Sequence, residues 1–327
     1  MGILETELAE LKQCVPKVIA DSVVETCVPA MVRVNIQRTK YKQMVVCFQF
    51  APDYPKTRVL IELKSRHISE KLLDGLTKLC EEEAEKYLGK PQVLNVLRFV
   101  RKFIDENPLC CCSGEISAIK NKLIVGSDEL KLRQKTSSVV LKVVQGSYII
   151  RHNIVIPENY PDKQVSIEEK ECNYPPVFRR WFMAQATEIA RQCVESPAKK
   201  RPKDPPFVLK PSLEPVISFL VSEARKYADM PCKYCNKQAF PQDPKDVETD
   251  ETAANYVERV YCGHIYHFKC LDTYIRTPPF QGGKKCHTCG LRIYHDRWKL
   301  TPETAEARWA HKQAKQRELD EVTDFLT

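Results

Sequence analysis

The chain has 327 residues, 43% hydrophobic and 29% charged with only 10 glycines, which excludes a collagen-like or wholly disordered polymer and allows two or three domains of ordinary size. Its net charge of +8 comes from 51 Lys and Arg against 43 Asp and Glu, spread along the chain rather than gathered in a strip, which argues against nucleic acid as the partner. No apolar run approaches the roughly 18 to 20 residues needed to cross a bilayer, so no membrane span is expected. The start, Met1 to Glu7, lacks the basic and apolar regions of a secretory signal, and Glu7 stands where a myristoylation pattern wants Ser or Thr. The expectation is a cytoplasmic chain whose 15 cysteines serve metal ligation or packing before disulfides.

In chain order, Leu4, Leu8, Leu11 and Val15 predict a helix, and alternation at Val32, Val34, Ile36 and at Met44, Val46, Phe48 predicts antiparallel strands. Next comes Pro52-Asp53-Tyr54-Pro55-Lys56-Thr57-Arg58-Val59, echoed by Pro157-Glu158-Asn159-Tyr160-Pro161-Asp162-Lys163-Gln164-Val165 with the two tyrosines 106 residues apart. The second copy is preceded by a short helical stretch near Glu115 to Leu123 and by strand patterns at Val139 to Val144 and Tyr148 to Ile156. Two helical stripes follow each copy. They are Ile68, Leu72, Leu76, Leu79, Tyr87 then Val93, Leu97, Val100, Ile104; and Phe178, Trp181, Phe182, Ile189, Cys193 then Leu213, Ile217, Leu220, Ala224, Tyr227. Sheet face and helix stripes must bury each other, giving an α+β layer of about 105 residues, twice.

The order helix, strands, Tyr-Pro turn, helix, helix resembles the RWD domain, a relative of the ubiquitin-conjugating (E2) fold. The family's Tyr-Pro-x-x-x-Pro signature has Val59 and Val165 in place of its last Pro. The resemblance implies two RWD-like domains, residues 1–108 and 109–230, that recruit a protein substrate or complex. An E2 also needs an accessible thiolate and an upstream His-Pro-Asn. No His-Pro-Asn occurs, Cys80 sits among acids in a helical run and Cys172 is not at a comparable place, so no catalytic residue is assigned. Cys14, Cys27, Cys47, Cys80 and Cys193 read as small core residues; the triplet Cys110-Cys111-Cys112 marks the boundary between copies, as packing or as a reactive or acylated site.

From residue 232 the ligand types run Cys232-x2-Cys235-x26-Cys262-x-His264-x2-His267-x2-Cys270-x15-Cys286-x2-Cys289. Each x2 pair spans one tight knuckle, so that two side chains meet one ion, and eight ligands make two tetrahedral zinc sites. With all four positions filled by protein, no activated water has a place: the two zinc ions are structural and a zinc hydrolase is not expected. In a segment of about 60 residues with little core, metal binding is largely the folding energy, about 10 to 16 kcal/mol per site in peptide models. His287 and His295 lie near the cluster but outside its pattern. Spacing alone permits an interleaved grouping or a sequential one, Cys232-Cys235-Cys262-His264 followed by His267-Cys270-Cys286-Cys289.

This ligand order resembles the RING-H2 finger, here residues 231–296, ahead of a helix-prone tail, 297–327. The resemblance implies the interleaved grouping, with Cys232, Cys235, His267 and Cys270 on one zinc and Cys262, His264, Cys286 and Cys289 on the other. It also implies a ubiquitin-charged E2 as partner, held in a reactive conformation without a covalent intermediate on the finger. The family's E2-contacting positions fall on Tyr234, on Tyr274 and on His287, where a Pro is usual; Gly290 stands where an Arg is common, and Arg292 is the nearest candidate for that role. The whole order resembles RWD–RING E3 ubiquitin ligases; the alternative is a scaffold whose finger only binds proteins. Ser196 to Lys203 fits a nuclear-import patch or a solvated linker equally well. The acidic stretch Asp243 to Glu251 reads as a mobile, solvated insert, and Trp309, Leu319, Val322 and Leu326 as a face of the tail that packs on the finger or meets a partner.

Overall fold

The computed structural model describes residues 2–197, 206–298 and 301–326. Its first layer opens with α1 (Ile3–Val18), which buries Leu8, Leu11 and Val15. Four antiparallel strands follow in spatial order, β1 (Ser22–Val28), β2 (Met31–Gln37), β3 (Gln43–Gln49) and β4 (Leu60–Lys64). The period-two alternation puts Val32, Val34, Ile36, Met44, Val46 and Phe48 on one fully buried face, as a sheet with a single dry side requires. The helices α2 (Glu70–Glu85) and α3 (Val93–Glu106) share that core. The stripe expected on α3 is buried. On α2 it is displaced: Leu73, Leu76, Cys80 and Ala84 face inward, while Leu72 is half-buried and Leu79 exposed. Small residues let this helix lie close to its neighbours, and a search for large apolar side chains passes over them.

After a 3-10 turn at Pro108–Cys112 the order recurs as α4 (Ser113–Lys122), β5 (Glu129–Arg133), β6 (Ser138–Gln145), β7 (Tyr148–Val155), β8 (Ser166–Cys172), α5 (Pro176–Val194) and α6 (Leu213–Ala228). Its sheet runs β5-β6-β7-β8. Strands β1 and β5 carry no clear alternation, because β1 is bulged between Val24 and Thr26 and β5 is charged and mostly exposed. On α5 the buried stripe is Phe178, Phe182, Ala186 and Ala190, with the expected Trp181, Ile189 and Cys193 only half-buried. The α6 stripe is buried as expected.

The Tyr-Pro turns owe their position to a hydrogen-bond network present in both layers. Tyr54 donates its hydroxyl proton to the Glu7 carboxylate on α1 and accepts from the Gln92 N–H at 3.1 Å, and Glu7 also accepts from the Val93 N–H at 2.9 Å. Tyr160 donates to Glu115 on α4 at 2.6 Å and accepts from the Leu213 N–H at 3.1 Å, and Glu115 accepts from the Glu214 N–H at 3.0 Å. A third bond repeats as well: Val59 N–H donates to the Gln92 side chain at 2.9 Å, and Val165 N–H to the Ser212 hydroxyl at 3.1 Å. Each network satisfies donors at the start of α3 or α6, groups that no helix can satisfy internally. Burial raises the pKa of both Glu7 and Glu115.

The chain divides into two compact units, one of Met1–Val143, Arg151–Lys170 and Met183–Val221, the other of Val144–Ile150, Glu171–Phe182 and Ser222–Thr327. Within the first, the β2–β3 turn meets the second Tyr-Pro turn: Arg38 and the buried Lys42 pair with Glu158 at 2.9 and 3.3 Å, and Tyr41 donates to Asp162 at 2.6 Å. Among the described residues no helix is long and apolar enough to cross a membrane.

His152 is the exception in this core. It occupies the place on β7 that Val46 occupies on β3, 106 residues earlier, fully buried with neither ring nitrogen hydrogen-bonded. Burial pushes its pKa down to about 4 from an ordinary 6.5. Unfolded chains therefore take up a proton that the folded chain refuses, and stability is lost as pH falls from 6.5 towards 4. His152→Val should raise the urea-unfolding free energy by about 2 kcal/mol more at pH 5 than at pH 8; an equal gain at both would show that His152 does not titrate in this way. Tyr54→Phe and Tyr160→Phe should each cost about 1 to 3 kcal/mol in the same assay, because each leaves one carboxylate oxygen and one helix-start N–H without its tyrosine partner.

Candidate metal centre and docking face

The ligands sit on a short scaffold in the second unit. Strands β9 (Val257–Arg259) and β10 (Ile265–His267) pair antiparallel, and α7 (Phe268–Arg276) follows at once. Two knuckles of identical hydrogen bonding flank it. Cys232 N–H donates to Lys237 O and Asn236 N–H to Cys232 O, both at 2.8 Å; Cys286 N–H donates to Leu291 O at 2.8 Å and Gly290 N–H to Cys286 O at 2.9 Å. In each, the residue after the second cysteine has a positive φ, +57° at Asn236 and +69° at Gly290, a conformation favoured by Asn and Gly.

Cys232, Cys235, His267 and Cys270 form one cluster, and Cys262, His264, Cys286 and Cys289 the other, the donor atoms of each all lying within 4.8 Å of one another. The grouping is interleaved, and the sequential one does not form. A tetrahedron with Zn–S near ~2.3 Å and Zn–N near ~2.0 to 2.1 Å has S···N edges of about 3.5 Å. His267 Nδ1 lies 3.4 Å from Cys235 Sγ and 3.9 Å from Cys270 Sγ, and His264 Nδ1 lies 3.4 Å from Cys262 Sγ. Burial and the neighbouring sulfurs push Cys270 up to about 12 and Cys262 up to about 11, while hydrogen bonds received by the thiolates outweigh burial and bring Cys232 down to about 6 and Cys286 down to about 7; a divalent cation is what lets three thiolates share one site. Both donor sets therefore fit zinc, with three cysteines and one histidine each.

Three of the expected E2-contacting side chains converge. Tyr274 and His287 have ring centroids 4.3 Å apart, and Tyr234 lies 6.0 Å from Tyr274 and 5.8 Å from His287. The Lys284 ammonium sits 4.6 Å over the Tyr274 ring, whose hydroxyl donates to Lys285 O at 2.9 Å. Arg292 is directed elsewhere. Its guanidinium lies 5.3 Å over Tyr294 and so close to Gly283 that a Cβ there would meet Nε at 2.6 Å. Sequence reasoning missed Tyr266, a buried residue between two candidate ligands. Its hydroxyl donates to Cys286 Sγ at 3.3 Å and accepts from the His287 N–H at 3.2 Å, linking metal site and aromatic face.

The finger is fastened within its unit by aromatic contacts. Phe240, beyond the first knuckle, packs 5.1 Å from Phe178 and 5.4 Å from Tyr148, and the Tyr148 hydroxyl donates to Pro241 O at 2.8 Å. Arg259 stacks 4.0 Å over Trp181 and donates to the Tyr227 hydroxyl at 3.0 Å. On the carboxyl side, buried Glu258 pairs with His295 at 3.1 Å and Arg297 at 3.0 Å, and Trp298 donates to Asp272 at 2.8 Å. His295 is thus a clamp residue rather than a ligand. The helix α8 (Pro302–Leu326) begins here, with Trp309 half-buried in a groove beside α7. Leu319, expected on the same face, is 53% exposed, because α8 has no continuous apolar stripe; the side chains of Val322 and Leu326 lie outside the described residues.

The other cysteines agree with packing. Cys80 is buried, its thiol pushed up to about 12 by burial and then by Glu83 and Glu81; Cys47 is buried, and Cys14, Cys27 and Cys193 are half-buried. The triplet lies in the 3-10 turn between the layers, with Cys110 and Cys112 buried. Asp243 to Glu251 form exposed turns, Asp243 capping one by accepting from the Lys245 N–H at 2.9 Å. The basic run's Ala198 to Lys203 lie outside the described residues.

The RWD domain family matches residues 3–104, and the zinc finger family of C3HC4 type (RING finger) matches residues 232–289. The chain therefore carries an amino-terminal RWD domain and a RING-type finger, both protein-interaction modules of a kind that points to the ubiquitin pathway. Its fifth ligand position holds His267 where the matched pattern has Cys, so two adjacent histidine ligands stand between three cysteines on either side. No curated protein matches the chain. Tyr266→Phe should still bind two zinc ions but release zinc to a chelator about ten times faster, since ligand partners of this kind typically contribute that much to metal affinity; an unchanged release rate, followed with a colorimetric zinc indicator, would remove Tyr266 from the site.

Proposed function

We propose that this chain is a RING-type E3 ubiquitin ligase, in which the finger docks a ubiquitin-charged E2 and the α+β layers recruit the substrate or complex. The convergence of Tyr234, Tyr274 and His287 on one face carries this reading: two zinc sites fix the backbone, and the rings offer apolar bodies with polar tips to a partner. Docking restrains the E2-linked thioester, a substrate lysine attacks it, and the finger supplies orientation without forming a bond. On this reading residues 109–230 are a second RWD-like domain, supported by the repeated Tyr–Glu network, and the boundaries are 1–108, 109–230, 231–296 and 297–327. Arg292, the fourth expected contact, would have to leave Tyr294 to reach the E2. The arrangement resembles RWD–RING ligases, including the ligase subunit of the Fanconi anaemia complex. The chain would work in the cytoplasm, and in the nucleus if the basic run is an import signal.

A scaffold is the second reading, favoured by His287 and Gly290 at the places of the usual Pro and Arg. Gly290 offers no side chain to bridge E2 and ubiquitin, and Arg292 is engaged with Tyr294. Single-turnover discharge of charged E2s onto free lysine separates the two. The ligase reading expects acceleration by the zinc-loaded wild type and its loss, by about tenfold or more, in Tyr274→Ala, with zinc content unchanged. A zinc-loaded protein inert with every E2 would leave the scaffold.

A further inference from the structure

We propose that the groove where α2 and α3 meet α4 and β5, inside the first compact unit, binds an extended peptide with an apolar anchor flanked by acidic residues. The inference deepens the ligase reading by locating recruitment, and rests on that reading only for its purpose.

The groove has a volume of about 370 Å³, at the small end for a ligand site, which suits one or two anchor side chains rather than an enclosed cofactor. Leu72 and Phe103 from the first layer, and Ile116 and Leu132 from the second, supply its apolar walls. Leu72 and Phe103 stay half-buried and Leu132 is 37% exposed, so apolar surface here is left over after both cores are filled. Leu72 and Phe103 pack against the first core on one side and leave their remaining surface to the groove.

Charge selects the occupant. The charged members of the lining are Lys71 and Lys120, one from each layer; no carboxylate lines the groove, and neither ammonium is in an ion pair among the described residues. The rest of the lining is hydroxyls, amides and the buried Leu109 and Cys110. Two unpaired cations on opposite layers favour carboxylates on both sides of a buried anchor and disfavour basic flanks. Both lysines are exposed, so reversing their charge leaves the cores intact.

The test is selection of a random peptide display library on the full-length, zinc-loaded chain, followed by fluorescence anisotropy of the enriched peptides. Wild type should enrich a Leu, Ile or Phe anchor with Asp or Glu on both sides. Lys71→Glu with Lys120→Glu should weaken those peptides by about tenfold or more and enrich Lys- or Arg-flanked peptides instead. Enrichment without acidic flanks, no enrichment, or equal binding by the double variant would overturn the proposal. The double variant should discharge E2 onto free lysine as wild type does. Peptide binding without discharge by either protein would sink the ligase reading and leave the groove standing; discharge without selective peptides would do the reverse.

Discussion

A carboxyl that satisfies the start of a helix to which it does not belong holds each α+β layer closed. Glu7 and Glu115 each reach from the leading helix of their layer to an N–H at the start of its last helix, with a tyrosine from the turn bridging the two. Three segments far apart in sequence are thus fastened at one point. A buried carboxyl is destabilising unless partnered, and a helix N-terminus is a ready acceptor of negative charge. The pair resolves both problems together, so removing one member exposes the other to the full cost. The layers differ elsewhere, in helix lengths and in the exchange of Val46 for His152, while this junction is preserved.

The finger solves the same problem of few residues and many loose ends by another route. Its strands have three residues each, too short to be held by sheet hydrogen bonds alone. Metal coordination can fix chain segments that packing cannot. Interleaving adds to this, because each cluster joins a knuckle to the β9–β10 hairpin or to α7, and neither cluster can form with its neighbours in sequence alone. Tyr266 carries that order outward, one atom bonded to a ligand and to the backbone of His287. The aromatic face is therefore tied directly to one of the metal sites beneath it.

Much of this is legible in the sequence, and the limits have physical causes. Cys-x2-Cys and the two histidines betray ligand types because a knuckle dictates local spacing, but which pairs share an ion is a long-range fact that spacing does not encode. The repeated Tyr-Pro turns are visible; their glutamate partners, 47 and 45 residues away, are not. Stripes on α3 and α6 can be read because large side chains mark them. On α2 and α5 the core positions include Cys80, Ala84, Ala186 and Ala190, which periodicity weighted by size overlooks. His152 shares the inward phase of Tyr148, Ile150 and Ile154 on its strand, so alternation places it inside, while its want of a hydrogen-bond partner is a tertiary fact that the strand pattern does not encode.

Gly290 shows how backbone geometry limits what a finger can offer. The residue after the second cysteine of each knuckle lies in the left-handed region, where most side chains are strained. A glycine relieves that strain and gives up any reach towards a partner. Arg292 stands two residues later, in a bridge with Lys285 that mirrors the Pro231–Gln238 bridge of the first knuckle, and its guanidinium is seated between Gly283 and Tyr294. Reaching a bound partner would mean leaving Tyr294, an exchange that costs little because the ring is 63% exposed and stacking there is weak. The two metal sites decide that this surface is ordered; what it does once ordered depends on side chains the metals never touch.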